Sequence, residues 1–100
     1  SILQMHYGGH FWVSVYYADR VRQLDRIFHL FDGQSIGDKS YQSPLIDAIN
    51  TRSTTDNAGE TTYFSFRCFQ NGNLHLTFKR LDLVERLNAT AGGGNILGDG

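Results

Sequence analysis

Asn71-Gly72 stands between two runs of alternating apolar and polar residues, Thr62 to Gln70 and Asn73 to Lys79. An Asn-Gly pair in that setting is the strongest short-range hairpin signal, because both residues tolerate the positive φ of a tight turn. Loop length decides what such a hairpin presents. A loop of Asn71 and Gly72 alone sets Cys68 against His75 and Arg67 against Leu76, mixing polar and apolar groups on both faces. A three-residue loop, Gln70 to Gly72 with Gly72 in the left-handed bulge position, shifts the pairing by one. Phe64, Phe66, Cys68, Leu74, Leu76 and Phe78 then share one face, and Tyr63, Ser65, Arg67, Phe69, Asn73, His75, Thr77 and Lys79 the other. Burial of that apolar set favours the second register by on the order of several kcal/mol, so the three-residue loop is expected.

A hairpin alone is not a stable sheet. The third strand is expected from Phe11 to Tyr16, whose β-branched and aromatic residues alternate, or from a partner chain through an open edge, which implies a homodimer. Large rings on both faces leave a second reading of Phe11 to Tyr16 as the first turns of a helix. Asp19 is expected to cap a helix whose apolar residues Val21, Leu24, Phe28 and Phe31 recur at spacings of three and four, ending at Asp32-Gly33. Ser43-Pro44 reads as an N-cap followed by proline at the first helical position, opening a short helix to about Asn50. Thr51 to Thr61 carries no large apolar residue and reads as a surface loop. Asp82, with Glu85 three residues on, is expected to cap a last helix packed through Leu83, Val84, Leu87 and Ala91.

These elements predict an α+β fold, a small antiparallel sheet with a central Asn-Gly hairpin packed against two or three helices. A chain of 100 residues has room for one core, so 1–91 is expected to be a single domain and 92–100, rich in glycine, a flexible tail. The longest apolar stretch, Phe11 to Tyr17, is interrupted by Ser14 and falls far short of the roughly 18 residues that cross a bilayer. No membrane association is expected. The lone Cys68 forms no internal disulfide, and a reducing, cytoplasmic setting follows as the expectation. The net charge of −1 removes any general attraction to polyanions, so nucleic-acid binding has to come from a local patch.

The polar hairpin face is that patch. It sets Arg67 opposite His75, Ser65 opposite Thr77 and Tyr63 opposite Lys79, with Arg80 starting the turn into the last helix. Tyr63, Arg67, Asn73, His75, Lys79 and Arg80 are the expected contacts to a nucleic-acid partner, RNA or DNA, through its phosphate backbone. The same residues suit metal-independent phosphodiester cleavage by an endoribonuclease, with His75 as general acid or base, Arg67 and Lys79 stabilising charge on phosphorus and Tyr63 stacking a base. An ordinary solvated sheet face alternates in the same way. A third class of function is a protein-interaction or inhibitor module, bound through the aromatic N-terminal stretch. No cofactor and no metal are expected. His6 and His10 have the spacing of two ligands on a helical turn, but Gly8 and Gly9 between them disfavour a helix. Cys68 falls on the apolar face as an inert thiol, and His29 reads as a helix residue away from the patch.

The run from Phe69 through Asn71-Gly72-Asn73, His75, Lys79-Arg80 and Asp82 to Asn88, with Asp25 to Gly33 and Ser43 to Ile49, resembles domain-of-unknown-function family 4942. The resemblance covers a third to a half of the chain and implies a setting in phage, plasmid and other mobile elements, sometimes beside DNA-methyltransferase-like regions. It implies nucleic acid, or enzymes that act on it, as company, and a role as an accessory domain directed at nucleic acid. Asn71, Gly72, Asn73, His75, Lys79, Arg80, Asp82 and Asn88 are the matching positions. These 100 residues carry no methyltransferase cofactor motif, so methyl transfer has no residues to support it. In arrangement alone, helices on an antiparallel sheet that presents His, Arg and Lys are similar to small toxin-type endoribonucleases of the barnase kind.

Overall fold

The computed structural model describes residues 1–6, 8–34 and 41–90. Strand β1 (Leu3–Met5) pairs antiparallel with β2 (Phe11–Val13), Leu3 opposite Val13, and helix α1 (Val15–Phe31) follows directly. Phe11 to Tyr16 therefore divides between its two readings, strand up to Val13 and helix from Val15. Ser14 makes the change. It is extended at ψ 142°, its hydroxyl accepts from Tyr16 N, and its carbonyl accepts from Tyr17 N and Ala18 N. The expected cap at Asp19 is thus corrected: a capping oxygen was available earlier, and Asp19 lies inside α1, paired with Arg22. The helix closes at Asp32, and Gly33 takes φ +82°, as the break at Asp32-Gly33 required.

Helix α2 (Pro44–Asn50) opens as its sequence dictates, with Ser43 Oγ accepting from Ile46 N and Pro44 in the first turn. Ser43 also donates to the carboxylate of Asp25 (Oγ to Oδ2, 2.6 Å), and Leu45 N donates to the same oxygen at 3.0 Å. Asp25 is fully buried. An unpartnered carboxylate is costly in an interior, and here α1 supplies the negative group that the N–H groups at the start of α2 lack. Asp25 thereby joins the two helices.

The second sheet has the order β3-β4-β5, from β3 (Ala58–Glu60), β4 (Phe64–Cys68) and β5 (Leu74–Phe78), all antiparallel. Its third strand comes from the end of the stretch read as a loop, which corrects the assignment of that strand to Phe11 to Tyr16 or a partner chain. Ala58-Gly59-Glu60 has little intrinsic strand preference, and what seats it is Phe66. A Cβ on Gly59 would lie 2.8 Å from Phe66 Cζ, so only glycine lets the strand close over that ring.

Between β4 and β5, Phe64 lies opposite Phe78, Phe66 opposite Leu76, Arg67 opposite His75 and Cys68 opposite Leu74, the pairing that a three-residue connection demands. Phe69 N donates to Asn73 O, Gly72 N to Phe69 O, and Gly72 adopts φ +91°. Phe64, Phe66 and Cys68 are buried, and Phe28 of α1 packs on Phe64 and Phe78 with ring centroids 5.2 and 5.6 Å away. Helix α3 (Leu81–Thr90) seats Leu83 and Leu87 in the same core. It starts before Asp82, which sits in the first turn and gathers Arg80 in place of the expected capping-box contact with Glu85. Ala91 and the expected tail at 92–100 lie outside the described residues. No described helix is long and apolar enough to cross a membrane.

Two substitutions test this packing. Phe28→Ala is expected to cost about 3–5 kcal/mol in urea unfolding. Gly59→Ala is expected to cost about 1–3 kcal/mol by forcing the Phe66 ring aside, and Gly59→Ala combined with Phe66→Leu recovers part of that loss.

Candidate nucleic-acid interface

Period-two alternation on β4 and β5 turns Ser65, Arg67, His75 and Thr77 away from the core, and β3 adds Ala58 opposite Arg67 and Glu60 opposite Ser65. Ala58, Ser65, Arg67, His75 and Thr77 floor an open groove of about 360 Å³, with Gly59 and Phe66 beneath. Arg67 and His75 are exposed. No described residue forms an ion pair or hydrogen bond with the Arg67 guanidinium, which leaves its donors to solvent. The imidazole of His75 rests against Phe69, centroids 4.6 Å apart and planes at 57°, so a half-buried ring and an exposed one meet at the end of the groove. Asn73 is exposed in the adjoining turn, its N–H donating to Asn71 Oδ1.

The remaining expected residues are placed differently. Lys79 stays with the sheet, but its ammonium donates to Glu60 Oε1 at 2.6 Å and to Thr61 O at 2.9 Å. That hydrogen bond, with the Lys79 charge, holds the Glu60 carboxyl below its ordinary range. Arg80 leaves the face: it donates to Asp82 at 2.7 and 2.9 Å and to Asp32 at 3.2 Å, bridging the end of α1 to the start of α3. These bonds, Asp82 foremost, raise its pKa further.

The placement of Tyr63 on the polar face is corrected. Its ring is only 1% exposed, set edge-on to Phe28 and His29, and its hydroxyl donates to Asp32 Oδ2 at 2.7 Å. Burial, reinforced by Asp32, pushes the phenol up to about 12. Tyr63 precedes β4, where strict alternation stops, and the open carboxylate at the α1 C-terminus draws its side chain inward.

Sequence reasoning missed Glu60. The signal available was the need for a third strand beside the hairpin, which makes any segment preceding it a candidate. It also missed an interior polar group. His29 Nε2 lies 3.4 Å from Asp25 Oδ1, and its ring meets Tyr63 and Tyr41 edge-on at 4.8 and 6.0 Å. Burial, with Asp25 as second cause, raises the Tyr41 phenol well above its ordinary value. With Asp25 committed to Ser43 and Leu45, this group joins helices. Cys68 is fully buried, and burial pushes its thiol up to about 11. His6 stacks on Trp12 at 4.8 Å, and no three His, Cys, Asp or Glu side chains among the described residues gather to hold a metal ion.

The chemical capacity of the face is that of one free guanidinium, an imidazole, hydroxyls and a stacking ring, with a Lys–Glu pair at its far end. Residues 2–94 fit the sequence profile of a family described as a domain of unknown function (DUF4942). Neither a curated protein nor a solved structure matches the chain.

The Asp32 cluster has a pH signature. The Tyr63 hydrogen bond, then Arg80, lowers the Asp32 carboxyl below its ordinary 3.8. Its contribution to stability is therefore complete above that value and is lost as pH falls through the folded-state pKa. Asp32→Asn is expected to lower stability at neutral pH and to flatten the fall below pH 3.8, the residual slope coming from Glu60 and Asp82, whose carboxyls are also lowered. Urea titrations across pH check this. In the same samples, the folded protein is expected to resist thiol reagents at Cys68 until it unfolds.

Proposed function

This chain belongs to the DUF4942 family of domains of unknown function, and from that premise we propose that it is a nucleic-acid-directed accessory domain binding the phosphate backbone of a single strand in the groove over β3, β4 and β5. The observation that carries this reading is Arg67, a guanidinium without a partner among the described residues, beside His75, while Lys79 and Arg80 are neutralised by Glu60, Asp32 and Asp82. A free guanidinium on a chain of net charge −1 gives phosphate a local, directional contact, where a general charge excess gives none. Phe69 and His75 supply ring faces and edges on which an unstacked base can rest, which favours a single strand over a duplex. The resemblance to mobile-element proteins supplies the setting of phage or plasmid DNA and its transcripts, in the cytoplasm.

Glu60 favours a second reading, metal-independent RNA cleavage. It places a carboxylate on the same face as the imidazole, Glu60 opposite Ser65 and His75 opposite Arg67. In that reading Glu60 takes the 2′-hydroxyl proton, His75 protonates the departing 5′-oxygen, and Arg67 stabilises the charge on phosphorus.

Fluorescence anisotropy with a labelled single-stranded RNA, with EDTA present, separates the readings. Binding is expected to weaken with salt. Arg67→Ala is expected to weaken it about tenfold and to reduce the slope of log K against log salt by about 0.7. Phe69→Ala is expected to lose about 1 kcal/mol, the lower end of a stacking contribution. Salt-independent binding, or binding unchanged by Arg67→Ala, contradicts the proposal. Strand cleavage abolished by His75→Ala and by Glu60→Gln establishes the second reading.

A further inference from the structure

Strand β4 is bonded on both sides and β5 on one. The bonds from Phe69 N to Asn73 O and from Lys79 N to Tyr63 O fix the phase of the β4–β5 ladder. Bonded pairs alternate along an antiparallel ladder, so Arg67 with His75 and Ser65 with Thr77 are the bonded pairs, and the N–H and C=O groups of Leu74, Leu76 and Phe78 point away from β4. The β3–β4 ladder has the complementary phase, fixed by bonds from Thr61 N to Phe64 O and from Cys68 N to Asn57 O.

The two outer edges of this sheet are treated differently. On β3, the Arg52 guanidinium donates to the outward carbonyl of Ala58 at 3.0 Å. On β5, no described residue bonds to the outward groups. Edge strands are ordinarily protected by charge, proline or a bulge. Leu74–Phe78 has no formally charged residue and no proline, and it pairs with β4 without interruption. The nearest cation, Lys79, is turned to Glu60. On the core side Leu74, Leu76 and Phe78 are half-buried, whereas Phe64, Phe66 and Cys68 beside them are buried, so apolar coverage stops one strand short of the edge.

We propose that β5 pairs with β5 of a second copy of this chain, antiparallel and centred on Leu76. A two-fold axis at Leu76 sets Leu76 opposite the partner's Leu76 and Leu74 opposite the partner's Phe78. All of these are outward-bonding residues, so each pair exchanges both its bonds. A slip of one residue opposes outward with inward groups, and a slip of two leaves one end of the strand unpaired. The centred register alone uses every free group. The half-covered leucines and phenylalanine then form one apolar row across the axis, with no charge to repel the second copy. On the other face His75 meets the partner's Thr77, and the two grooves merge into one surface with the two His75 Cα atoms about 8–9 Å apart by ordinary strand spacings. This inference rests on the backbone edge and stands whether or not the face binds nucleic acid.

The test is sedimentation velocity of the whole chain, without nucleic acid, over a micromolar concentration series, joined to amide hydrogen exchange. A dimer is expected, with the amides of Leu74, Leu76 and Phe78 gaining protection as concentration rises. A pair of exposed substitutions checks the register without touching the core. His75→Glu with Thr77→Glu sets like charges opposite each other across the axis and is expected to weaken the dimer by about tenfold or more. His75→Lys with Thr77→Glu sets opposite charges there and is expected to restore it, circular dichroism reporting that each variant is folded. A monomer at every concentration overturns the proposal, as does protection of those amides only after some other macromolecule is added. A dimer indifferent to the charge pairs overturns the register and assigns association to another surface.

Discussion

The pairing of β4 with β5 is the constraint from which the rest of the molecule follows. Phe64, Phe66 and Cys68 must all point at α1, and Leu76 and Phe78 must stand beside them, for Phe28 to have rings to pack on. A slip of one residue would bring Arg67 inward against Phe28 and expose the phenylalanines, an exchange of buried apolar area for a buried charge. The same alternation puts Arg67, His75, Ser65 and Thr77 on the outer face and aims backbone groups of β5 away from β4, where no described residue bonds to them. Core, candidate interface and open edge are three consequences of one register.

The distribution of charge sharpens what the outer face can do. Basic and acidic residues nearly balance, and around the sheet the fold sets several of them against each other: Lys79 with Glu60, Arg80 with Asp32 and Asp82, Arg52 with Asp56. These are largely exposed pairs, so their worth lies less in stability than in fixing where a lone charge remains. At the groove that charge is Arg67. Elsewhere the polar groups are spent on architecture, most plainly Asp25, a buried carboxylate that holds the start of α2 through Ser43 and Leu45. Removing either partner there would leave a buried polar group without compensation, which is why α1 and α2 are fixed relative to each other.

The hairpin register, the Ser43-Pro44 helix start and the break at Gly33 were legible because each rests on local chemistry: the period of two, a capping hydroxyl before proline, a residue free to take positive φ. The start of α1 was not, because Ser14 gains its capping role only once β2 holds Val13 extended. Strand β3 was hidden for a related reason. Ala58-Gly59-Glu60 looks like loop, and the ring of Phe66, seven residues on, is what makes glycine a strand residue there. Of the candidate site, Arg67, His75 and Asn73 were read correctly as exposed neighbours, since strand parity alone places them. Tyr63 was misplaced because parity fails outside the strand, and Arg80 because Asp82 was read as a helix cap and not as its partner, while the second acid, Asp32, is remote in sequence.

The central claim is that the outer face of β3, β4 and β5 engages a single strand, and the most direct measurement is an NMR titration of the isotopically labelled protein with a short single-stranded RNA. The account predicts shift changes centred on the amides of Ser65, Arg67, His75 and Thr77, the ring of Phe69 and the guanidinium of Arg67, with α3 and the β1–β2 ribbon unmoved. Changes confined to the ribbon, or none at saturating RNA, would contradict it.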